Sequence, residues 1–142
     1  MNTTEPVQLE PAVGLKIIRL PLGLLGFENI KEYVLISEPD QAPFQWLQVP
    51  NDSSLAFIVV SPFEVLPGYE PDIPKPDVDF LGLTSPADAR LLNIVTLPGN
   101  GRATINLKGP IVLNCHTLIG KQVVLTNAAR YALQHPLPVA ES

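Results

Sequence analysis

Leu91-Leu92-Asn93-Ile94-Val95-Thr96-Leu97, then Pro98-Gly99-Asn100-Gly101, then Arg102-Ala103-Thr104-Ile105-Asn106-Leu107-Lys108 reads as a β-hairpin. Gly-Asn-Gly supplies residues that tolerate positive φ, and apolar arms flank it. In the second arm Ala103, Ile105 and Leu107 alternate with Thr104, Asn106 and Lys108. That two-residue period is the mark of a strand with one buried face. Gly109-Pro110 interrupts the pattern, Ile111-Val112-Leu113 resumes it, and Gln122 to Thr126 forms another strand.

Upstream, the same reading gives strands at Leu15–Leu20, Lys31–Ser37, Phe44–Val49 and Leu55–Val60. The last is an unbroken apolar run, as in a strand buried on both faces. Between the first two lies Pro21-Leu22-Gly23-Leu24-Leu25-Gly26-Phe27, an apolar loop whose glycines constrain its geometry. Its leucines and Phe27 are expected to plug one end of a barrel, or to stand partly exposed as a contact patch. Phe44, Trp46, Phe57 and Phe63 are expected in the core. Downstream, Tyr131–Gln134 is expected as a short terminal strand, because Pro136 and Pro138 soon end any helix.

The stretch from Ser61 to Phe80 has a different character. It holds prolines 62, 67, 71, 74 and 76, the acids Glu64, Glu70, Asp72, Asp77 and Asp79, and the single base Lys75. It can hold neither a long helix nor a central strand. We expect an exposed excursion with a short edge strand near Tyr69 and a helical turn around Asp77–Leu81. Ser85-Pro86-Ala87-Asp88 places proline behind a capping serine, the start of another brief turn. Eight to ten short strands at regular spacing imply an all-β domain, a small antiparallel barrel or near-barrel with one or two helical turns. Closure removes the free edges that make β-rich chains aggregate.

Composition agrees. The chain has 142 residues, 46% apolar and 16% charged, with 16 prolines. That excludes global disorder and disfavours a mostly helical protein. We expect one domain over 1–142, ordered from about 15 to 137 with flexible tails. One cysteine, Cys115, excludes an intramolecular disulfide. Met1–Pro11 has no basic, apolar leader pattern, and the apolar run Leu55–Val60 is far too short to span a bilayer; a cytoplasmic protein is expected. Residues 1–88 carry 13 acids and 4 bases, whereas no Asp or Glu occurs between Ala89 and Ala140. An acidic chain with five dispersed bases in its second half is a poor candidate for gripping a phosphate backbone.

Motifs for catalysis are absent: no P-loop, no dinucleotide fingerprint, no His-Glu-x-x-His and no Gly-x-Ser-x-Gly. Cys115 and His116 are adjacent and on a strand would face opposite ways, so a buried thiol and an ordinary imidazole are expected. The acids between Glu64 and Asp79 read either as a solvated loop or as a docking surface for a basic partner, which such a surface attracts and selects.

The residues also resemble a known family. Gly23-Leu24-Leu25-Gly26-Phe27-Glu28, Tyr33, Pro43-Phe44-x-Trp46-Leu47-Gln48, Phe57-x-Val59 with Pro62, Asn93-Ile94-Val95, Ala103 through Asn114, and Gln122-Val123-Val124-Leu125 occur in order. This set resembles the flagellar assembly factor family FliW, from about Leu15 to Leu137. The resemblance implies a β-barrel-like fold, no enzymatic activity and no cofactor or metal. It implies a cytoplasmic regulator with two protein partners, flagellin and the RNA-binding translational regulator CsrA, and no direct contact with nucleic acid or membrane. Binding CsrA would relieve its repression of flagellin mRNA; flagellin accumulating in the cytoplasm would sequester the factor. The free protein is expected to be a monomer. From charge rather than from the family, CsrA docking is expected on Glu64, Glu70, Asp72, Asp77 and Asp79, with Glu28 and the exposed part of the Gly23–Gly26 loop second. The rival is a small barrel enzyme or ligand-binding module using a carboxylate or the Cys115–His116 pair.

Overall fold

The computed structural model describes residues 14–97 and 101–137. Nine strands form an antiparallel sheet: β1 (Gly14–Arg19), β2 (Glu32–Ser37), β3 (Gln45–Val49), β4 (Asp52–Val60), β5 (Ala89–Thr96), β6 (Thr104–Ile105), β7 (Ile111–Asn114), β8 (Gly120–Gln122) and β9 (His135–Pro136). Two short helices, α1 (Pro62–Val65) and α2 (Lys75–Leu81), lie between β4 and β5. The first five strands pair in chain order. β5 is then shared: Ala89–Leu92 pairs with β7, while Val95 and Thr96 pair with β6, which pairs in turn with β9. β8 adds to β7, and one parallel bridge, Arg19 to Ile119, crosses from β1 to the chain entering β8. The sheet is barrel-like but does not close.

Side-chain alternation explains why Val59-Val60, Leu91-Leu92 and Ile111-Val112-Leu113 are apolar on successive residues. Val59, Leu92, Ile111 and Leu113 join one core with Ile18, Leu20, Tyr33, Leu35 and Leu47. Their chain neighbours Val60, Leu91 and Val112 join a second core with Tyr69, Leu81, Val95, Ile105 and Leu107. The second core is roofed by the excursion and the C-terminal segment. Each fully buried aliphatic side chain contributes roughly 1.5–3 kcal/mol, so both faces matter to stability.

Several expectations change. The Leu55–Val60 run is fully buried only at Val59 and Val60; Leu55 to Ile58 are half-buried. The edge strand near Tyr69 is replaced by a loop that buries the ring, whose hydroxyl donates to the Leu107 carbonyl at 2.7 Å. Burial pushes the Tyr69 phenol up to about 12. The strand expected at Gln122–Thr126 sits earlier, at Gly120–Gln122, and the terminal strand sits later, at His135–Pro136. The turn at Pro98–Asn100 lies outside the described residues.

The aromatic expectation is corrected at three of four positions. Phe44, Trp46 and Phe63 are exposed, and only Phe57 is half-buried, edge-on to Phe27 at 5.1 Å. Alternation is the reason: Leu47 takes the inward position on β3, so Trp46 faces out. The row Leu15, Ile36, Trp46, Ile58 and Val95 runs across five strands on that outer face, buried at Val95 and uncovered at Leu15.

Candidate functional site

The acids of the excursion do not form one uniform patch. Asp77, on α2, is 8% exposed and pairs with Lys121 of β8. It ties the helix to the sheet and is not available as a docking charge, which corrects its expected role. Asp79 pairs with Lys75 one helical turn away at 3.0 Å, in water. Glu70 faces Arg130 at 3.8 Å, also exposed. Glu64 and Asp72 are exposed and make no ion pair among the described residues. The backbone around Asp72 is fixed: its N–H donates to Asn127 Oδ1 at 3.0 Å, and its carbonyl accepts from Thr126 N–H at 2.8 Å.

An apolar groove of about 530 Å³ is lined by Phe63, Pro71, Ile73, Val78, Leu83 and Leu91 among others, four of them from the excursion; none of the acids lines it. Phe63 precedes Glu64, Pro71 separates Glu70 from Asp72, and Val78 separates Asp77 from Asp79.

A second trough, of about 400 Å³, shares no lining residue with the first. Leu22, Leu24, Leu25, Val124 and Leu133 give it apolar walls, with Lys108, Lys121 and Glu28 beside them. Glu28 therefore belongs here and not with the excursion. Its carboxylate accepts from Gly26 N–H at 3.0 Å, and this bond above all holds it below the usual carboxylate range. The loop is half plug and half display: Leu24 is buried, whereas Leu22 and Leu25 project into solvent. Sequence reasoning missed Lys108, Lys121, Val124 and Leu133. The only hint was the acid-free second half of the chain.

Cys115 and His116 lie in the turn after β7, not on a strand, and the thiol is exposed rather than buried. His116 Nε2 meets Asp88 Oδ1 at 2.9 Å. The other oxygen of Asp88 accepts from Thr84 N–H at 3.0 Å, Thr84 hydroxyl at 2.8 Å and Ser85 N–H at 3.0 Å. These bonds, led by the Thr84 hydroxyl, hold Asp88 far below the ordinary carboxylate range. The cluster stitches the entry of β5 to the turn after β7. No group of three or more His, Cys, Asp or Glu side chains is placed to hold a metal among the described residues. No described helix is long and apolar enough to cross a membrane.

The described residues form a barrel-like all-β shell with several open, largely apolar grooves on its surface. The FliW protein family pattern matches residues 3–137. A flagellar assembly factor FliW of Caldicellulosiruptor bescii is 41% identical over 122 residues, covering 85% of this chain and 79% of its own length. Its counterpart in Leptospira biflexa is 43% identical over 123 residues, covering 85% and 80%. A crystal structure of the flagellar assembly factor FliW superposes with a TM-score of 0.76 at 36% identity, over 87% of this chain and 86% of that one. The chain belongs to the FliW family of flagellar assembly factors.

Proposed function

We propose that this FliW-family chain is a non-enzymatic cytoplasmic regulator that binds the translational repressor CsrA and is itself sequestered by flagellin. Flagellin held in the cytoplasm occupies the factor and leaves CsrA free to repress; export of flagellin releases the factor, which then antagonises CsrA. Such a switch requires only that the two complexes exclude each other and have comparable affinities at cellular concentrations.

The acidic excursion is the CsrA surface in this reading. The observation that carries it is the exposure of Glu64, Glu70, Asp72 and Asp79 in the one segment that also supplies Phe63, Pro71, Ile73 and Val78 to an apolar slot, with Lys75 as the one base between Ser61 and Asp88. An RNA-binding protein presents basic side chains, which these acids attract without attracting RNA. An apolar side chain of the partner filling the slot supplies the desolvated contact that charge alone lacks. Asp77 contributes only by holding α2 in place.

The double variant Glu64→Lys/Asp72→Lys tests this. Its affinity for purified CsrA should fall roughly tenfold at low salt and less at high salt, because exposed charges are screened. Both side chains are exposed, so stability should stay within about 0.5 kcal/mol of the parent. An unchanged affinity in a folded variant removes the assignment.

A further inference from the structure

A cavity of about 490 Å³ opens between the end of β2 and the start of α1, and three charged side chains line it: Glu38, Glu64 and Arg90. They come from separate parts of the chain. Glu38 follows β2, Glu64 is on α1 and Arg90 is on β5. Leu92, two residues on and on the same face of β5, is buried and also lines the cavity. Among the described residues none of the three charges enters an ion pair, with one another or with any other side chain. Arg90 makes one long bond, 3.4 Å to Gln45 Oε1, which leaves most of its donors open. Glu38 is half-buried, and its carboxylate accepts no hydrogen bond among the described residues. Two carboxylates and one guanidinium leave the cavity with one net negative charge. The hydroxyl residues Ser37 and Ser61 and an apolar wall of Pro39, Pro43 and Phe44 complete it. The turn carrying that wall is braced: Trp46 Nε1 donates to Gln41 Oε1 at 2.8 Å, Phe44 N–H to the Gln41 carbonyl at 2.9 Å and Gln45 Nε2 to Ser37 Oγ at 2.5 Å. A site already fixed in place loses little entropy when a ligand binds.

We propose that this cavity binds a basic α-amino acid, free or as the C-terminal residue of a peptide. Opposite charges that line one cavity without meeting are bridged by a ligand that carries the complementary charges. The ligand carboxylate takes the guanidinium fork of Arg90, which suits it in shape and charge. The side-chain cation, joined by the α-ammonium in the free amino acid, takes Glu38 and Glu64. The methylene stem lies along Phe44 and the prolines, as such stems do on apolar surface. A free basic amino acid carries one net positive charge near neutrality and so balances the cavity. Glu64 is the one side chain shared with the CsrA surface, and the site goes beyond that assignment because its ligand is a small molecule or a chain end.

Isothermal titration of the full chain with L-arginine and with L-lysine is the test. Saturable binding is expected, with a Kd on the order of 1 mM or tighter. Agmatine, which lacks the carboxylate, and L-norleucine, which lacks the side-chain cation, should each bind about tenfold more weakly. Arg90→Gln should bring arginine down to the level of agmatine and leave agmatine unchanged, a split that a merely structural role would not produce. Glu38→Gln should weaken arginine and agmatine alike, by roughly tenfold. Unchanged thermal midpoints would show that both variants keep the fold. The dipeptide alanyl-arginine separates the two sources: tighter binding than arginine assigns the site to a peptide C-terminus, weaker binding to the free amino acid. No saturable heat with either amino acid, agmatine binding as tightly as arginine, or full arginine affinity in Arg90→Gln would overturn the proposal. The titrations contain no CsrA and leave Glu64 in place, so their failure leaves the proposed function standing.

Discussion

The two grooves are built by opposite means. Under the excursion, prolines set the path of the chain, the Tyr69 hydroxyl anchors it to Leu107, and apolar side chains line a groove in the same segment as the exposed acids. At the trough, a left-handed glycine sets the path, Gln122 anchors it, and apolar side chains protrude beside lysines. Recessed and acidic suits a basic partner that brings its own anchor. At the trough the charges nearly cancel, Lys121 against Asp77 and Glu28 against Lys31, so its exposed aliphatic rim is what sets it apart. One small scaffold can therefore offer two recognition chemistries whose contacts are separable by mutation.

The sharpest way to break the comparison is at Gly23. Alanine there would combine the cost of a left-handed φ with a collision against backbone that cannot turn aside. We expect a loss of more than about 2 kcal/mol in denaturant unfolding, with the trough lost before the excursion. A Gly23→Ala protein as stable as its parent would refute the rigid display. Next comes Asp77, which joins the regions: it belongs to α2, and its partner Lys121 lines the trough. Removing one member of a mostly buried pair strands the other, so Asp77→Ala should cost about 2 kcal/mol. The same variant should weaken CsrA binding modestly, in contrast to Glu64→Lys/Asp72→Lys, which should weaken it without loss of stability. Stability equal to the parent in Asp77→Ala would return that residue to the docking set.

The smallest effect expected is pH-dependent. Asp88 is held below its unfolded pKa, so its contribution is present above that value and is lost as pH falls through the folded one. The protein should therefore lose stability progressively below about pH 4, and Asp88→Asn should lack that part of the acid slope. Neither groove contains Asp88 in its lining, so partner affinity near neutrality should not change. Parallel acid profiles for the two proteins would contradict the bonding described at Thr84 and Ser85.

How far the sequence was legible follows from the same particulars. The strands were readable because β1, β2 and β3 carry apolar residues at strand spacing and β4 ends in the apolar run Leu55–Val60. The hairpin after β5 was readable from its glycines, yet β6 is only Thr104–Ile105. The reason is local: Asn106 Oδ1 accepts from the N–H groups of Lys108 and Gly109 at 2.9 and 3.0 Å, which curls the chain out of the ladder. The exposed aromatics were misplaced because hydrophobicity does not reveal which face of β3 is covered. The acids were recognised as a group, but Asp77 could not be told from Asp79 without Lys121, which lies 44 residues away from Asp77. The trough was illegible for a similar reason, since its walls come from segments about a hundred residues apart, Leu22–Leu25 and Val124–Leu133.

Isothermal titration of purified CsrA against three proteins tests the separation of the two surfaces most directly: the parent, Glu64→Lys/Asp72→Lys and Leu25→Asp. The parent and Leu25→Asp should bind with equal affinity, and the charge-reversed protein roughly tenfold more weakly at low salt. A loss of CsrA affinity in Leu25→Asp, with affinity retained in the charge-reversed protein, would contradict the account.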